Sequence, residues 1–265
     1  MIQTKPIDTW TLRFSDLIIR QIPRGFISNI VVGERRTGKS IYLLKTFAKV
    51  YKILEGLPDE ECWFKALDCF IFGPDELTKK IFDNTNHDII SLCICIDDAT
   101  VHFNPMIFFV NPYMYGLLGG IFDTIGTAVN CVALTCPKKK RLMSGLKNYD
   151  DYTTQIVKAE GGPYERLAKG VYWYTWPDGT AHWRRMYEDH YSCYAPEFIY
   201  KPYLEKRKKY LKITNDLFMQ LQQKMHEDQK KKFPVLQTVK EDIDTMITET
   251  DFEIMSVKEE GDGTA

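Results

Sequence analysis

Apolar residues in this chain fall in short unbroken runs, separated by stretches in which they recur every three or four positions. Runs of the first kind read as strands covered on both faces, and the stretches between them as helices packed on a mostly parallel sheet. Strands are expected at Phe26–Val32, Trp63–Phe72, Ile89–Ile96, Asn130–Thr135 and Tyr152–Ala159, which makes the sheet five-stranded. Helical spacing covers Ile41–Tyr51, Asp75–Phe82 and Tyr113–Ala128, the last weakened by Gly116, Gly119 and Gly120. A short helix over Pro163–Lys169 leads into an antiparallel hairpin of Val171–Trp176 and Ala181–Tyr187. Its turn is Pro177-Asp178-Gly179, where proline presets the backbone and glycine takes the left-handed position.

From Glu197 the spacing is helical again, with Tyr203, Tyr210, Ile213, Leu217 and Leu221 near one face, until Phe233-Pro234 stops it. The pattern thus divides the chain into an N-terminal extension (1–24), an α/β core (25–196), a basic amphipathic helix (197–232) and a tail (233–265). The extension reads as polar with isolated aromatics, Trp10 and Phe14, and is weakly informative. It is expected either to flank a bound base or to add an edge strand. Within the tail, nine acidic residues from Glu241 onward face Lys258 alone. With so little apolar content it is expected to be disordered or held by a protein partner.

Composition changes this picture little. A net charge of -1 gives the whole chain no general attraction for nucleic acid, although with the acidic tail set aside the remainder is basic. Seven cysteines without paired-ligand spacing point to reduced thiols in an intracellular protein, host cytoplasm if viral. Cys93 and Cys95 share one face of a strand as small core residues. No signal-peptide pattern opens the chain. The stretch Phe103–Phe122 is uncharged and long enough for a bilayer, but Asn104, Pro105, Asn111 and Pro112 break it, so a buried loop plus helix is expected and no transmembrane segment.

The chemistry concentrates at Gly33-Glu34-Arg35-Arg36-Thr37-Gly38-Lys39-Ser40, which fills the phosphate-loop pattern G-x-x-x-x-G-K-[ST] between a strand and a helix. Its glycines permit a loop whose amides wrap a polyphosphate, Lys39 adds a mobile charge, and Ser40 offers a hydroxyl to Mg²⁺. The fold class expected is therefore a P-loop NTPase. Asp97 and Asp98 close the most apolar strand, where Asp97 is the second candidate metal ligand and Asp98 the candidate base that orients water. The competing reading of Asp98 is a turn cap.

Between Lys39 and Asp97 lie 57 residues, room for an inserted strand. That spacing resembles the additional-strand P-loop ATPases, which include the AAA+ and RecA-like motors. No N-K-x-D occurs, which favours ATP over GTP. In those motors a polar residue ends the fourth strand and touches the γ-phosphate or the water, a role that falls here on Thr135; the competing reading is a threonine that starts a turn before Pro137. The run Lys138-Lys139-Lys140-Arg141 follows; it is a solvated face, a DNA-backbone contact or, at Arg141, an arginine finger. The hairpin carries Tyr172, Trp173, Tyr174, Trp176, Trp183 and Tyr187 with His182, Arg184 and Arg185, a mixture suited to stacking bases, though an extended hydrophobic sheet is the favoured reading. Lys201, Lys206, Arg207, Lys208, Lys209 and Lys212 offer a second DNA-backbone contact.

Taken together, G-E-R-R-T-G-K-S, I-D-D-A, L-T-C-P and P-E-F-I-Y-K-P-Y-L-E-K-R-K-K-Y resemble the DnaA-like P-loop ATPases of crenarchaeal fuselloviruses and related plasmids, over roughly residues 25–212. The resemblance implies a Mg²⁺-dependent ATPase acting on viral or plasmid DNA, in replication initiation, helicase loading or genome packaging, as a possible homo-oligomer. One departure is that the chain has room for a long helix and a tail but not for the separate helix-turn-helix domain of cellular initiators. Two other classes stay open, a non-hydrolysing nucleotide-gated scaffold and a small-molecule or nucleotide kinase.

Overall fold

The computed structural model describes residues 7, 10–103, 112–147, 149 and 151–232. Residues up to Arg207 form one compact unit, and those from Lys208 onward belong to a second. The acidic tail, and with it the expected protein contact, lies outside the described residues, as do Asn104, Pro105 and Asn111.

A single seven-stranded sheet, ordered β2-β3-β4-β1-β5-β6-β7, organises the first unit. Its strands are β1 (Ile27–Val32), β2 (Phe70–Ile71), β3 (Ser91–Ile96), β4 (Val129–Cys136), β5 (Tyr152–Lys158), β6 (Glu165–Thr175) and β7 (Ala181–Ser192). From β2 to β5 every neighbouring pair is parallel. The β6–β7 hairpin then extends the sheet in antiparallel fashion from the β5 edge. The expected five-strand core is thus present with its late hairpin, but hairpin and core form one continuous surface.

Helices fill the connections: α1 (Arg13–Gln21), α2 (Lys39–Glu55), α3 (Asp59–Asp68), α4 (Pro74–Asn86), α5 (Ala99–His102), α6 (Pro112–Thr124), α7 (Ser144–Lys147) and α8 (Glu197–Lys232). On one sheet face Ile30, Ile94, Ile96, Val132 and Leu134 pack with Phe103, Leu118 and Phe122. On the other, α2 is buried from Ile41 to Tyr51 almost without interruption, and Phe47 meets Phe70 edge-on. All seven cysteines are free thiols, and Cys93 and Cys95 are buried as expected.

Three expectations are corrected. The run Trp63–Phe72 is α3 followed by the two-residue β2, because Asp59, Glu60 and Glu61 suit a helix N-terminus and Cys62, Trp63, Ala66 and Leu67 are buried at helical spacing. Residues 165–169 are strand, since burial alternates through Arg166, Ala168 and Gly170 back from the hairpin. The N-terminal extension contributes a helix, α1, in place of an edge strand. Asp189 of β7 caps it, accepting the Arg13 and Phe14 amides at 2.8 and 3.4 Å and the Tyr42 hydroxyl at 2.8 Å. Burial raises the Asp189 pKa, and those donors only partly offset it.

Candidate phosphate and metal site

The loop from Gly33 to Gly38 joins β1 to α2. Glu34, Arg35 and Arg36 form its exposed tip, with Arg36 left-handed at φ 62°, and Thr37 is buried with its hydroxyl on the Glu34 carbonyl at 2.9 Å. Gly38 caps α2 at φ 89°, and a Cβ there would lie 2.6 Å from Cys193 Cβ, so only glycine fits. A Cβ on Gly33 would stand 2.8 Å from the Ile156 carbonyl oxygen. Two residues that sequence reading passed over brace the loop from outside. Arg166 Nε donates to the Thr37 carbonyl at 3.0 Å, and the Tyr191 hydroxyl to the Gly38 carbonyl at 3.1 Å.

Lys39 folds back under the loop, donating to the Gly33 and Glu34 carbonyls at 3.0 and 2.7 Å. Burial lowers its pKa, against the pull of Asp98 and Asp97. Ser40 donates to Asp97 Oδ1 at 2.7 Å, so the two candidate metal ligands, separated by 57 positions, meet. They meet across a strand, however. β4 separates β3 from β1, and the strand ending in Asp97 is not the direct neighbour of the one leading into the loop. That intervening strand supplies Thr135, whose hydroxyl donates to Asp97 Oδ1 at 2.6 Å and accepts the Asp98 amide at 2.8 Å.

The remaining contacts come from α8, which the sequence presents as a basic amphipathic helix. Its Tyr203 hydroxyl donates to Asp97 Oδ2 at 2.7 Å, and Arg207 pairs with the Asp98 carboxylate. Asp97 is fully buried. Desolvation and the adjacent Asp98 raise its pKa, while the Thr135, Ser40 and Tyr203 hydroxyls restrain the rise. For Arg207 burial opposes the charge, but Tyr203, Asp98 and Asp97 outweigh it and hold the pKa above the usual arginine value. Asp98 itself sits at φ 48°, ahead of α5, without a side-chain capping bond. Asp98 occupies the N-cap position of α5, where its carbonyl and not its side chain accepts the Val101 amide at 2.8 Å.

Two of the residues expected to contact DNA have partners within the chain. Lys206 is occupied by Glu76 at 2.8 Å and by the Phe70 carbonyl, and Arg207 by Asp98. Lys201, Lys208, Lys209 and Lys212 are exposed. Arg141 is not brought to the carboxylates. It lies exposed in the 3-10 turn Lys139–Arg141, and its side chain meets no partner among the described residues. Arg207 and Tyr203 escaped sequence reading because a one-turn spacing on a helix identifies a shared face and not what that face meets. The available signal was a tyrosine and an arginine four apart, on the helix face turned inward.

No helix among the described residues is long and apolar enough to cross a membrane. No protein-family model matches the chain. Its sequence is 26% identical over 219 residues to the uncharacterized protein B-251 of Sulfolobus spindle-shape virus 1, an alignment covering 79% of this chain and 84% of that protein.

Proposed function

We propose that the chain is a Mg²⁺-dependent P-loop ATPase acting on DNA. The observation that carries this reading is the 2.7 Å approach of Ser40 to Asp97 at the start of α2, directly beside Lys39. The donor set suits Mg²⁺, a hard cation that takes a hydroxyl and one carboxylate and completes its shell with phosphate oxygens and water. Among the described residues no cluster of three or more His, Cys, Asp or Glu would hold a metal without substrate. The placement of β4 between β1 and β3 also supports the reading, because an extra strand there characterises the additional-strand branch.

In this reading Ser40 and Asp97 would hold the ion, which when bound would supply positive charge against the phosphates. Lys39 exchanges the Gly33 and Glu34 carbonyls for phosphate oxygens, and the loop amides cradle the β-phosphate. Asp98 takes the proton from the attacking water once Arg207 releases it. Thr135 orients Asp97 and the Asp98 backbone. The DNA part of the reading rests on the sequence resemblance and on the basic runs.

Titration calorimetry with Mg-ATP, paired with a phosphate-release assay, tests this. Lys39→Ala is expected to lose binding or turnover, and wild-type turnover by that variant sinks the reading. A second reading, a non-hydrolysing nucleotide-gated scaffold, draws on one observation: the candidate base is engaged by Arg207. Tight ATP binding by the wild type with no phosphate release, with or without DNA, decides for it.

A further inference from the structure

The sheet face that carries Ile30 is covered over β1, β3 and β4, and its β5–β6–β7 part is lined by a different kind of residue. Register places three cross-strand rows there: Gln155 with Lys169, then Thr153, Val171 and Arg185, then Trp173 with Trp183. Trp183 is 62% and Trp173 38% exposed, values that no hydrophobic core requires. Trp173 is held in place by its indole N–H on Thr153 Oγ1 at 3.1 Å. Between Trp183, Val171 and Val32 lies a concavity of about 290 Å³, also lined by Lys169 and Arg185.

The basic run comes to the same place. Lys139 Nζ stands 5.8 Å from the centre of the Trp173 ring, and Lys138, Lys140 and Arg141, which flank Lys139 in sequence, are exposed. Two acids interrupt this surface: Glu188, which stands opposite Lys169 in register and is tied to Arg185, and exposed Asp151, whose carbonyl accepts the Trp173 amide at 3.1 Å. Two features that the sequence presents 30 residues or more apart, an aromatic hairpin and a cationic turn, therefore form one surface.

We propose that this surface binds single-stranded nucleic acid, its bases stacking on Trp173 and Trp183 and its phosphates following Lys138, Lys140, Arg141 and Lys169. Exposed indole faces flanked by cations suit unstacked bases on an anionic backbone, and a duplex hides those base faces within its own stack. A second copy of the chain is the poorer occupant, because it would set cationic surface against cationic surface. The proposal deepens the DNA-acting reading above. Val32 lines the concavity and immediately precedes Gly33, so the strand would link polymer and phosphate loop.

The experiment is an anisotropy titration of the full chain, without nucleotide, against fluorescent oligo-dT and oligo-U of about 20 residues and a duplex of equal length. The expected result is preference for the single strands over the duplex, with Trp183→Ala weakening binding by about 5-fold to 150-fold. Equal loss on dT and U assigns the site to stacking alone, and unequal loss names the preferred polymer; both support it. Lys138→Glu with Lys140→Glu should lower the log–log salt slope by about 0.7 for each phosphate no longer neutralised. Because Trp183 is exposed, an unchanged far-UV spectrum is expected; Trp173→Phe, which keeps a ring, should lose less than Trp173→Ala. Unchanged affinity in both tryptophan-to-alanine variants, preference for the duplex, or a Trp183→Ala effect seen only as loss of self-association overturns the proposal. Lys39→Ala separates the two readings. If it binds single strands normally, this inference stands even where ATP turnover is absent from the wild type; if the wild type hydrolyses ATP but binds no single strand, this inference alone fails.

Discussion

Arg207 of α8 reaches back over 109 positions of sequence to pair with the carboxylate of Asp98. The pair joins the end of β3 to the C-terminal helix, and one turn earlier on that helix Tyr203 holds Asp97. Arg207 also lies close enough to Lys39 for its charge to act on the lysine, so a γ-phosphate beside Lys39 would face a second cation. Its Nε is buried and has no hydrogen-bond partner among the described residues. Phosphate would compete with Asp98 for this guanidinium, and the exchange would free the base when substrate is present.

Arg207→Ala should therefore keep Mg-ATP binding within a few-fold while kcat falls by about 10-fold to 1000-fold, the scale of arginine contributions to phosphoryl transfer. Stability should fall by only about 1 kcal/mol, since the pair is partly exposed. Steady-state kinetics beside a urea titration check both. An unchanged kcat would make the pair structural only.

The carboxylates should separate by role. Asp97→Asn should lose the Mg²⁺ dependence of nucleotide binding, whereas Asp98→Asn should bind ATP and fail to hydrolyse it. Tyr203→Phe is the intermediate case. It removes one donor from Asp97 Oδ2 without altering Oδ1, which accepts from Ser40, and should cost about 1–3 kcal/mol of stability for the unsatisfied acceptor. Equal binding defects in the two aspartate variants would refute the division.

How far the sequence carried this site depends on range. That a loop joins β1 to α2 was legible because the glycines of G-E-R-R-T-G-K-S shape their own backbone, and Asp97-Asp98 stood out because a strand ending in acids is a local pattern. The segment 63–72 misled because Trp63 and Phe70–Phe72 suggest a strand, while the acids that start α3 lie just upstream. Residues 165–169 misled because Pro163 fits a first helical turn, although only the pairing with β5 and β7 decides the conformation there. Tyr203 and Arg207 were invisible for a stronger reason: their meaning is set by partners more than a hundred positions away.

Asp189 gives a prediction in pH. Burial raises its pKa in the fold, so folding favours the protonated acid. Its stabilising contribution is then full below the ordinary aspartate pKa of about 3.9 and declines as pH rises through the folded value. The stability gap between wild type and Asp189→Ala should be widest near pH 4, at about 2–4 kcal/mol for the lost cap and Tyr42 bond, and should narrow toward neutrality. Urea titrations across that range test the sign; a gap that grows with pH contradicts it.

Arg141 bears on assembly. Its own chain's carboxylates already have an arginine in Arg207, and Arg141 stands exposed six positions beyond Thr135 with no partner among the described residues. An exposed arginine after the fourth strand suits contact with a γ-phosphate bound to a neighbouring subunit. On that basis Arg141→Ala should bind ATP and lose hydrolysis by about 10-fold to 1000-fold. Mixing then fixes the geometry. Combined with Asp98→Asn chains, Arg141→Ala chains should regain activity, because an intact Asp98 on one subunit would meet an intact Arg141 on the next. The assay is run without nucleic acid, which keeps the proposed single-strand surface out of the readout. A mixture that stays inactive, while each variant binds ATP and assembles, would leave Arg141 to the nucleic-acid face alone.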